Sequence, residues 1–491
     1  MIQTVENIGE KLVSMLTYDA SQPLIFSSGL FLFLFAGFLF FYGFTRRAPM
    51  ARIVYVILFS LYFYYKSSGI YFLLLVFASV SDYWIAHAIY KVRTQRAKYW
   101  LVGLSVLVNL GMLGYFKYTN FLIEIANNLF GQGFLNFQNI FLPVGISFFV
   151  FQSMSYTIDI CRGQLKPLNN WADYLFYLSF FPQLVAGPIV RAKDFIPQIR
   201  QNPLRVTREM FGMGVFLILI GLFKKAVISD YISLNFVDRI FDEPLLYSGF
   251  ECLMGIYGYA LQIYCDFSGY SDMAIGIALL LGFRFPKNFD APYKSATITE
   301  FWRRWHISLS TWLRDYLYIS LGGNRKGRIR TYFNLLVTML LGGLWHGAAV
   351  RFILWGALHG IALALHKLWL SVVPGSKATG AEMRWFWRIP GIFFTFNLVC
   401  FGWLMFRAES MKTVQLMLHQ IFTNFNPSVI PQVLEGYAGI FLLVGIGYLL
   451  HMQRFVTSLP TVVQVLLAAC VIWLVMQVKS SDIQPFIYFQ F

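Results

Sequence analysis

Two stretches decide how this chain folds: residues 301–319, FWRRWHISLSTWLRDYLYI, and residues 340–349, LLGGLWHGAA. Each places a histidine, His306 or His346, directly after a tryptophan and within or beside sequence that is apolar enough to lie in lipid. A charged side chain at the centre of a bilayer costs roughly 2.5–3.5 kcal/mol on insertion scales, and ionisable residues at that depth usually line a reaction or transport path. We therefore expect a reaction site within the membrane.

The composition around these stretches is that of a polytopic membrane protein. Of the 491 residues, 58% are hydrophobic and only 13% are charged. About twelve segments are long and apolar enough to cross a bilayer. They are residues 24–44, 53–65, 70–90, 99–116, 140–158, 210–228, 251–283, 331–350, 352–372, 387–406, 434–450 and 462–478. No long polar linker separates them, so we expect a single membrane-embedded domain over residues 1–491.

Two further stretches, 171–190 and 297–320, carry polar interruptions that argue against a plain crossing. Lipid tolerates irregular backbone only where protein or water covers it, so these segments are expected to be re-entrant or interfacial. The predicted fold class is therefore all-α, with about 11–13 transmembrane helices and additional re-entrant or interfacial helices.

Lysine and arginine gather in four places, 45–52, 91–98, 191–208 and 284–330. These fall on one side if the spans alternate, and positively charged loops mark the cytoplasmic side. Residues 1–23 would then be extracytoplasmic, and 24–44 a retained anchor, because the basic region and cleavage site of a signal peptide are missing. The net charge of +16 thus reflects orientation among membrane lipids, and no reading motif points to nucleic acid as a partner.

Several classes of chemistry lack their signatures in this sequence. Neither a Walker A motif nor a dinucleotide-binding glycine fingerprint is found. The Gly-x-Ser motifs at Gly145 and Gly269 lack the final glycine of a nucleophile elbow. The five cysteines are scattered without metal-ligand spacing, so we predict small core residues and no metal. A nucleotide-driven pump and a Ser-His-Asp hydrolase are therefore disfavoured.

The basic stretch 284–330 predicts an amphipathic helix along the cytoplasmic boundary. Thr297 and Glu300 have the spacing of a capping box, which satisfies free amides at a helix start. Taken alone, this pattern favours an anchor at the lipid headgroups. His306 favours a substrate-binding helix over a simple anchor, because it lies beside the polar face of the predicted helix and could face an inward cavity. Arg303 and Arg304 would then meet the phosphates of an anionic donor.

His346 follows Gly342 and Gly343, which permit close helix approach, so its ring should lie inside the bundle. Burial favours the neutral imidazole, the form that abstracts a proton from a hydroxyl. The alternative is a structural histidine hydrogen-bonded to a carbonyl or hydroxyl. The remaining histidines have no comparable setting or lie near span ends, and we interpret them as structural: His87, His359, His366, His419 and His451.

A polar island, residues 264–272, interrupts an otherwise apolar span and contains Asp266 and Asp272. Two carboxylates at this depth must have partners. They either cap a broken helix or pair with an arginine, or else orient a histidine and line a substrate path. In both interpretations the span is expected to break near Gly269.

Five motifs carry a resemblance to a known family: FFPQLVAGPI (180–189), QIYCDFSGYSDM (262–273), RRWHISLS (303–310), GLWHG (343–347) and FIYFQF (486–491). Together they resemble the membrane-bound O-acyltransferase family, and most closely its bacterial alginate O-acetyltransferase branch. The similarity covers roughly residues 143–491.

The resemblance implies transmembrane helices around a central tunnel that joins a cytoplasmic donor site to an extracytoplasmic acceptor site. By motif, His346 matches the essential histidine of the family and His306 its second polar position. The implied donor is acetyl-CoA. The implied partner is a periplasmic protein resembling an SGNH hydrolase, which modifies a polysaccharide acceptor, and the implied location is the bacterial cytoplasmic (inner) membrane. We expect the substrate tunnel to be lined by Trp305, Trp345, Asp266, Asp272, Ser308, Ser310, Arg303 and Arg304.

The expected mechanism has His346 remove a proton from the acceptor hydroxyl, which then attacks the thioester. The developing oxyanion needs a donor, and His306, Ser308 and Ser310 all remain open for that role. One alternative is a teichoic acid D-alanyl transferase that uses a carrier-protein thioester. The other is a polysaccharide transporter or export component with no chemistry of its own, although only one broken span is expected where transporters usually have a pair.

Overall fold

The computed structural model describes residues 10, 13–20, 22–45, 47–202, 204–373, 384–451, 460–478 and 486–487. Within these ranges every regular element is a helix. The extracytoplasmic segment predicted for residues 1–23 lies partly outside the described residues, and so do residues 488–491 of the terminal motif.

The described residues divide into two compact units. The first comprises those within 1–215 and 274–285, and the second those within 216–273 and 286–489. Two of the three boundaries lie within helices, at 215/216 in Arg208–Leu222 and at 273/274 in Gly249–Leu280. The prediction of one membrane domain over residues 1–491 stays a prediction.

The first unit contains mainly long apolar helices. Its remaining helices are Gly29–Thr45, Pro49–Ser68, Phe72–Lys91, Gln95–Leu113, Thr119–Phe130, Ile146–Cys161, Trp171–Ser179, Phe181–Leu184 and Ala192–Ile199, with a 3₁₀ turn at Gly69–Tyr71 and a π-helix at Gly114–Tyr118. The stretch 171–190, expected to be re-entrant or interfacial, forms the two short helices Trp171–Ser179 and Phe181–Leu184, whose side chains are largely buried in the protein.

The second unit holds both tryptophan-histidine pairs. Its α-helices are Asp230–Ile232, Asp238–Asp242, Ile298–Arg304, Ile307–Trp312, Arg328–His346, Val350–Val372, Trp385–Arg407, Met411–Thr423, Ile430–His451 and Thr461–Val478. The π-helices are Phe223–Ser229, Ser233–Val237 and Leu313–Tyr318, and the 3₁₀ turns are Pro244–Leu246, Pro292–Lys294 and Pro427–Val429.

The helices confirm an all-α, multi-pass membrane protein. Five helical stretches of the described chain are long and apolar enough to cross a bilayer: Pro49–Lys91, Gln95–Phe130, Arg208–Asp242, Val350–Val372 and Trp385–Arg407. The first of them contains two predicted spans, 53–65 and 70–90. Two shorter apolar helices are Gly29–Thr45 and Val462–Gln477. The larger count of about 11–13 spans, and the central tunnel, stay predictions.

Helix Val350–Val372 shows how these spans meet lipid. One face is buried and carries Phe352, Trp355, Gly356, His359 and Gly360. The other exposes large apolar side chains at helical spacing, namely Ile361, Leu365, Leu368 and Val372. Exposed apolar residues in such a stripe fit a hydrocarbon environment, whereas the buried face places two polar rings inside the protein.

The single amphipathic helix predicted within the basic stretch 284–330 is wrong. The chain forms Ile298–Arg304, turns at His306, and resumes at Ile307–Trp312. His306 has a φ of 41°, in the left-handed region, which interrupts a right-handed helix and costs roughly 1–2 kcal/mol for a residue with a Cβ. The start was predicted correctly: the Thr297 hydroxyl accepts from the Glu300 amide at 3.1 Å, while the Glu300 carboxylate accepts from Ala296.

The predicted break near Gly269 is also wrong, since helix Gly249–Leu280 runs through it without interruption. Gly269 is needed there for close approach: a Cβ would lie 2.8 Å from the Gly221 carbonyl oxygen. The carboxylates of the polar island have lysines as partners, not the expected arginine. Asp266 lies 2.6 Å from Lys225 Nζ, and Asp272 lies 2.7 Å from Lys224 Nζ.

The Lys225–Asp266 pair gives a test of this packing. Their side chains are only 5% and 1% exposed, so removal of one partner leaves a buried charge without its counter-ion. We expect Lys225→Met to lower the free energy of unfolding by roughly 3–5 kcal/mol, measured by SDS titration in mixed micelles. The double variant Lys225→Met/Asp266→Asn should recover most of that loss. A double variant no more stable than the single one would show that the ion pair is not the cause.

Candidate active site

Asn288 holds His306 in its left-handed turn. Its side-chain Oδ1 accepts from the Ser308 amide at 3.2 Å and from the Ser308 hydroxyl at 2.9 Å, and it lies 3.2 Å from His306 Nδ1. Its backbone carbonyl accepts from the Ile307 amide at 2.9 Å. Because an amide oxygen only accepts hydrogen bonds, the contact with Oδ1 favours the tautomer that carries the ring proton on Nδ1 of His306. This tautomer leaves Nε2 as a hydrogen-bond acceptor.

The His306 ring is fully buried, with an exposed fraction of 0%. The Phe267 ring stands nearly perpendicular to it at 4.6 Å between centroids. His306 lies between two short helices that are not candidate spans, and burial lowers its pKa to about 3. The imidazole is therefore neutral throughout the physiological pH range, because it would become protonated only in strong acid.

His346 is the last residue of helix Arg328–His346 and is 5% exposed, so its predicted burial is confirmed. Three aromatic rings surround it: Trp345 at 5.0 Å, Trp355 at 5.1 Å and Phe406 at 5.2 Å between centroids. The Trp345 indole also lies 6.4 Å from the His306 ring. The structure thus brings the two predicted histidines next to one tryptophan.

Trp305 belongs to the wall of this site. Its indole packs 4.9 Å from Trp403 and 5.1 Å from Phe289, measured between ring centroids. The Trp403 indole donates to the Tyr293 hydroxyl at 3.1 Å. An aromatic wall of this kind excludes water and strengthens electrostatic interactions within it.

A cavity of about 520 Å³ opens beside Ile298–Arg304 and Ile307–Trp312. Its lining includes Arg303, Arg314, Lys367, His366 and the indole of Trp302, and no carboxylate among the described lining residues. A second cavity of about 640 Å³ shares Asn324, Lys367 and Leu370 with it and adds Arg328. The two cavities form a positively charged recess that favours an anion.

The predicted lining residues separate into two groups. Arg303 and Ser310 line the recess, whereas Arg304 is engaged with Glu300 at 2.9 Å and with Asp290 at 3.7 Å. Ser308 donates to Asn288, and Ser310 donates to the Trp305 carbonyl at 3.1 Å. Asp266 and Asp272 pair, among the described residues, with lysines rather than with a histidine. The roles predicted for all of these residues stay predictions.

Sequence reasoning missed two residues. Asn288 lies 18 positions before His306, and no local pattern links them. His359 was interpreted as structural, yet it is fully buried, and its ring lies 4.7 Å from Trp355, which contacts His346. The sequence does contain a signal for this contact. Trp355 and His359 are four residues apart, so their side chains share one face of a helix.

Known proteins are similar to this chain over most of its length. The model of MBOAT, the membrane-bound O-acyltransferase family, matches residues 164–410. A protein of Azotobacter vinelandii named probable alginate O-acetylase AlgI is 44% identical over 82% of this chain and 78% of its own. A peptidoglycan O-acetyltransferase of Helicobacter pylori is 37% identical over 80% of this chain and 79% of its own. A teichoic acid D-alanyltransferase of Streptococcus thermophilus is 31% identical over 64% and 77%.

Asn288→Leu tests the control of the His306 tautomer. Loss of Oδ1 removes the acceptor that fixes the proton on Nδ1, so we expect the proton to move largely to Nε2. Solid-state ¹⁵N NMR of histidine-labelled protein in liposomes measures this, and His306→Gln identifies the resonance by difference. The other six histidine signals serve as the control. An unchanged tautomer in Asn288→Leu would contradict the assignment.

Proposed function

Since this chain belongs to the membrane-bound O-acyltransferase family and is therefore an O-acyltransferase, we propose that it moves an acetyl group from acetyl-CoA towards an extracellular polysaccharide. One observation carries the proposal: the two buried imidazoles share the indole of Trp345, next to a recess without described carboxylates. The names of the relatives support an acetyl group and a cell-envelope polymer.

The recess suits the donor. Coenzyme A carries a diphosphate and a 3′-phosphate, and guanidinium groups bind such oxygens through paired hydrogen bonds. Arg303 and Lys367 line the first cavity, and Lys367 also lines the second, beside Arg328. We assign the nucleotide part of acetyl-CoA to this recess, with the thioester directed along Trp302 towards the histidines.

His346 is the proposed general base. The acceptor oxygen forms a bond to the thioester carbon while its proton passes to His346, and the carbonyl π electrons move onto oxygen. When they return, the carbon–sulfur bond breaks and the leaving thiolate takes the proton from His346. The products are an acetyl ester and free coenzyme A. A positioned base of this kind contributes about 10²–10⁴ in rate.

His306 takes a different role in this mechanism. With its proton on Nδ1, its Nε2 accepts a hydrogen bond, which suits it to orient an acceptor hydroxyl. The same tautomer does not donate from Nε2, so it is a poor source of oxyanion stabilisation. Ser308 and Ser310, the other predicted donors, already donate to Asn288 and to the Trp305 carbonyl.

We place the enzyme in the bacterial cytoplasmic (inner) membrane with an extracytoplasmic N terminus, as the distribution of basic residues indicates. The acetyl group would be handed to a periplasmic partner resembling an SGNH hydrolase, which completes transfer to the polysaccharide. D-alanyl transfer to teichoic acid from a carrier-protein thioester is the second candidate, favoured by a relative at 31% identity. The acetyl proposal takes precedence because the acetyl-transferring relatives match more of this chain and at higher identity.

The general base is tested with inverted membrane vesicles given [¹⁴C]acetyl-CoA. We expect His346→Ala to reduce transfer of label to an acceptor by about 10²–10⁴-fold, at an unchanged amount of inserted protein. His419→Ala, on an exposed position, is the matched control and should transfer normally. Full transfer by His346→Ala would remove this residue from the mechanism. Transfer from a D-alanyl carrier protein but not from acetyl-CoA would instead favour the second candidate.

The recess is tested through the Michaelis constant for acetyl-CoA. A charge-assisted hydrogen bond contributes about 1.5–3 kcal/mol, so we expect Arg303→Gln and Lys367→Gln each to raise KM about tenfold or more, with kcat little changed. Arg325→Gln is the control, because Arg325 lies in the same basic region but not in the described lining. If all three variants behave like the unmodified protein, the donor binds elsewhere.

A further inference from the structure

The side chains of Trp302, Trp355 and His359 form a cluster of buried ring nitrogen atoms, and Trp302 also lines the recess. Their ring centroids are 4.7 Å apart for Trp355 and His359, 5.3 Å for Trp302 and His359, and 5.7 Å for the two indoles. Neither indole nitrogen, nor either nitrogen of His359, has a hydrogen-bond partner among the described residues. Buried polar atoms are rarely left without a hydrogen-bond partner.

Gly402 packs directly against this cluster. A Cβ at that position would lie 3.0 Å from His359 Nε2 and 3.4 Å from Trp355 Nε1. A methyl group at residue 402 would therefore obstruct both nitrogens.

The hydrogen-bonding groups of the cluster determine which ligand it can bind. An indole nitrogen only donates, and a neutral imidazole donates from one nitrogen. The three side chains thus offer up to three N–H donors and favour an acceptor oxygen. The candidates for this oxygen are an enclosed water and the carbonyl group of the acyl donor.

Two contacts connect the cluster to the reaction. Trp355 lies 5.1 Å from the His346 ring, measured between centroids, so an oxygen bound at Trp355 would lie next to the proposed base. Trp302 also lines the positively charged recess, so a donor held there would extend along Trp302 into the cluster. The cluster therefore lies between the recess and the proposed base.

We propose that Trp302, Trp355 and His359 bind the carbonyl oxygen of the acyl donor and stabilise the negative charge that forms on it during transfer. This assignment rests on the proposed function. In the step given above, the π electrons of the carbonyl move onto this oxygen when the acceptor bond forms, and they return when the carbon–sulfur bond breaks. Between these two events the N–H donors stabilise the negative charge on the oxygen, as in an oxyanion hole.

Four variants test the assignment by kinetics. Gly402→Ala presses a methyl group against His359 Nε2 and Trp355 Nε1, Trp355→Phe removes one N–H and keeps a ring, and His359→Leu removes the polar ring at similar volume. Loss of one oxyanion donor typically costs about 10²–10³ in kcat, so we expect a fall of about a hundredfold in each, with KM for acetyl-CoA little changed. His359→Gln restores a side-chain N–H and should recover part of kcat. Gly436→Ala, a helical glycine whose Cβ would meet nothing within 4 Å, is the control.

A binding measurement separates the carbonyl from a water. The probe is a ketone analogue of acetyl-CoA, with methylene in place of sulfur and ¹³C at the carbonyl. We expect its infrared carbonyl band to shift to lower frequency in the unmodified protein and to lose that shift in Trp355→Phe and Gly402→Ala. A band unaffected by these variants, together with kcat within twofold of normal, would overturn the assignment and leave an enclosed water.

The two proposals fail in different ways. If the unmodified protein transfers acetyl groups and His346→Ala does not, while the cluster variants remain active, only the oxyanion assignment is wrong. If the unmodified protein neither transfers label from acetyl-CoA nor binds the ketone analogue, the proposed donor is wrong and the carbonyl assignment is overturned with it.

Discussion

The amide side chain of Asn288 satisfies the donors around a turn that is otherwise unfavourable. A left-handed histidine interrupts the helix in front of it and exposes backbone and ring donors in a place with little water. Asn288 accepts from the ring, the next hydroxyl and a backbone amide at once, while its own amide donates to Ser271. The position and tautomer of His306 follow from these bonds, its neutrality follows from burial, and the aromatic wall packs around the ring.

The charged side chains on the neighbouring helices form ion pairs. Lys224 and Lys225 are adjacent in sequence and belong to a π-helix, Phe223–Ser229. Lys224 pairs with Asp272, whereas Lys225 contacts both Asp266 and Asp230. Ion pairs of this kind add little net stability, yet loss of one partner is costly. They link helix Gly249–Leu280 to the π-helix beside it.

The sequence alone was enough to predict the features that depend on local residue pattern and on composition. Helical class, the capping of Ile298–Arg304 and the burial of His346 follow from periodicity, spacing and apolar context. Three features depended on groups distant in the chain and were not predictable in this way. The turn at His306 depends on Asn288, the partners of Asp266 and Asp272 are lysines some forty residues earlier, and the close contact of Gly402 with Trp355 and His359 depends on two helices packing together. The interpretation of His359 as structural came from its lack of a motif, although its spacing from Trp355 was visible.

The lysine–aspartate pairs also constrain how the chain inserts into the membrane. Lys224 is synthesised well before its partner Asp272, whereas Lys225 has Asp230 five residues later. An unpaired charge costs roughly 2.5–3.5 kcal/mol in the lipid interior. Insertion of the two helices together, as a hairpin, avoids the cost of an unpaired Lys224.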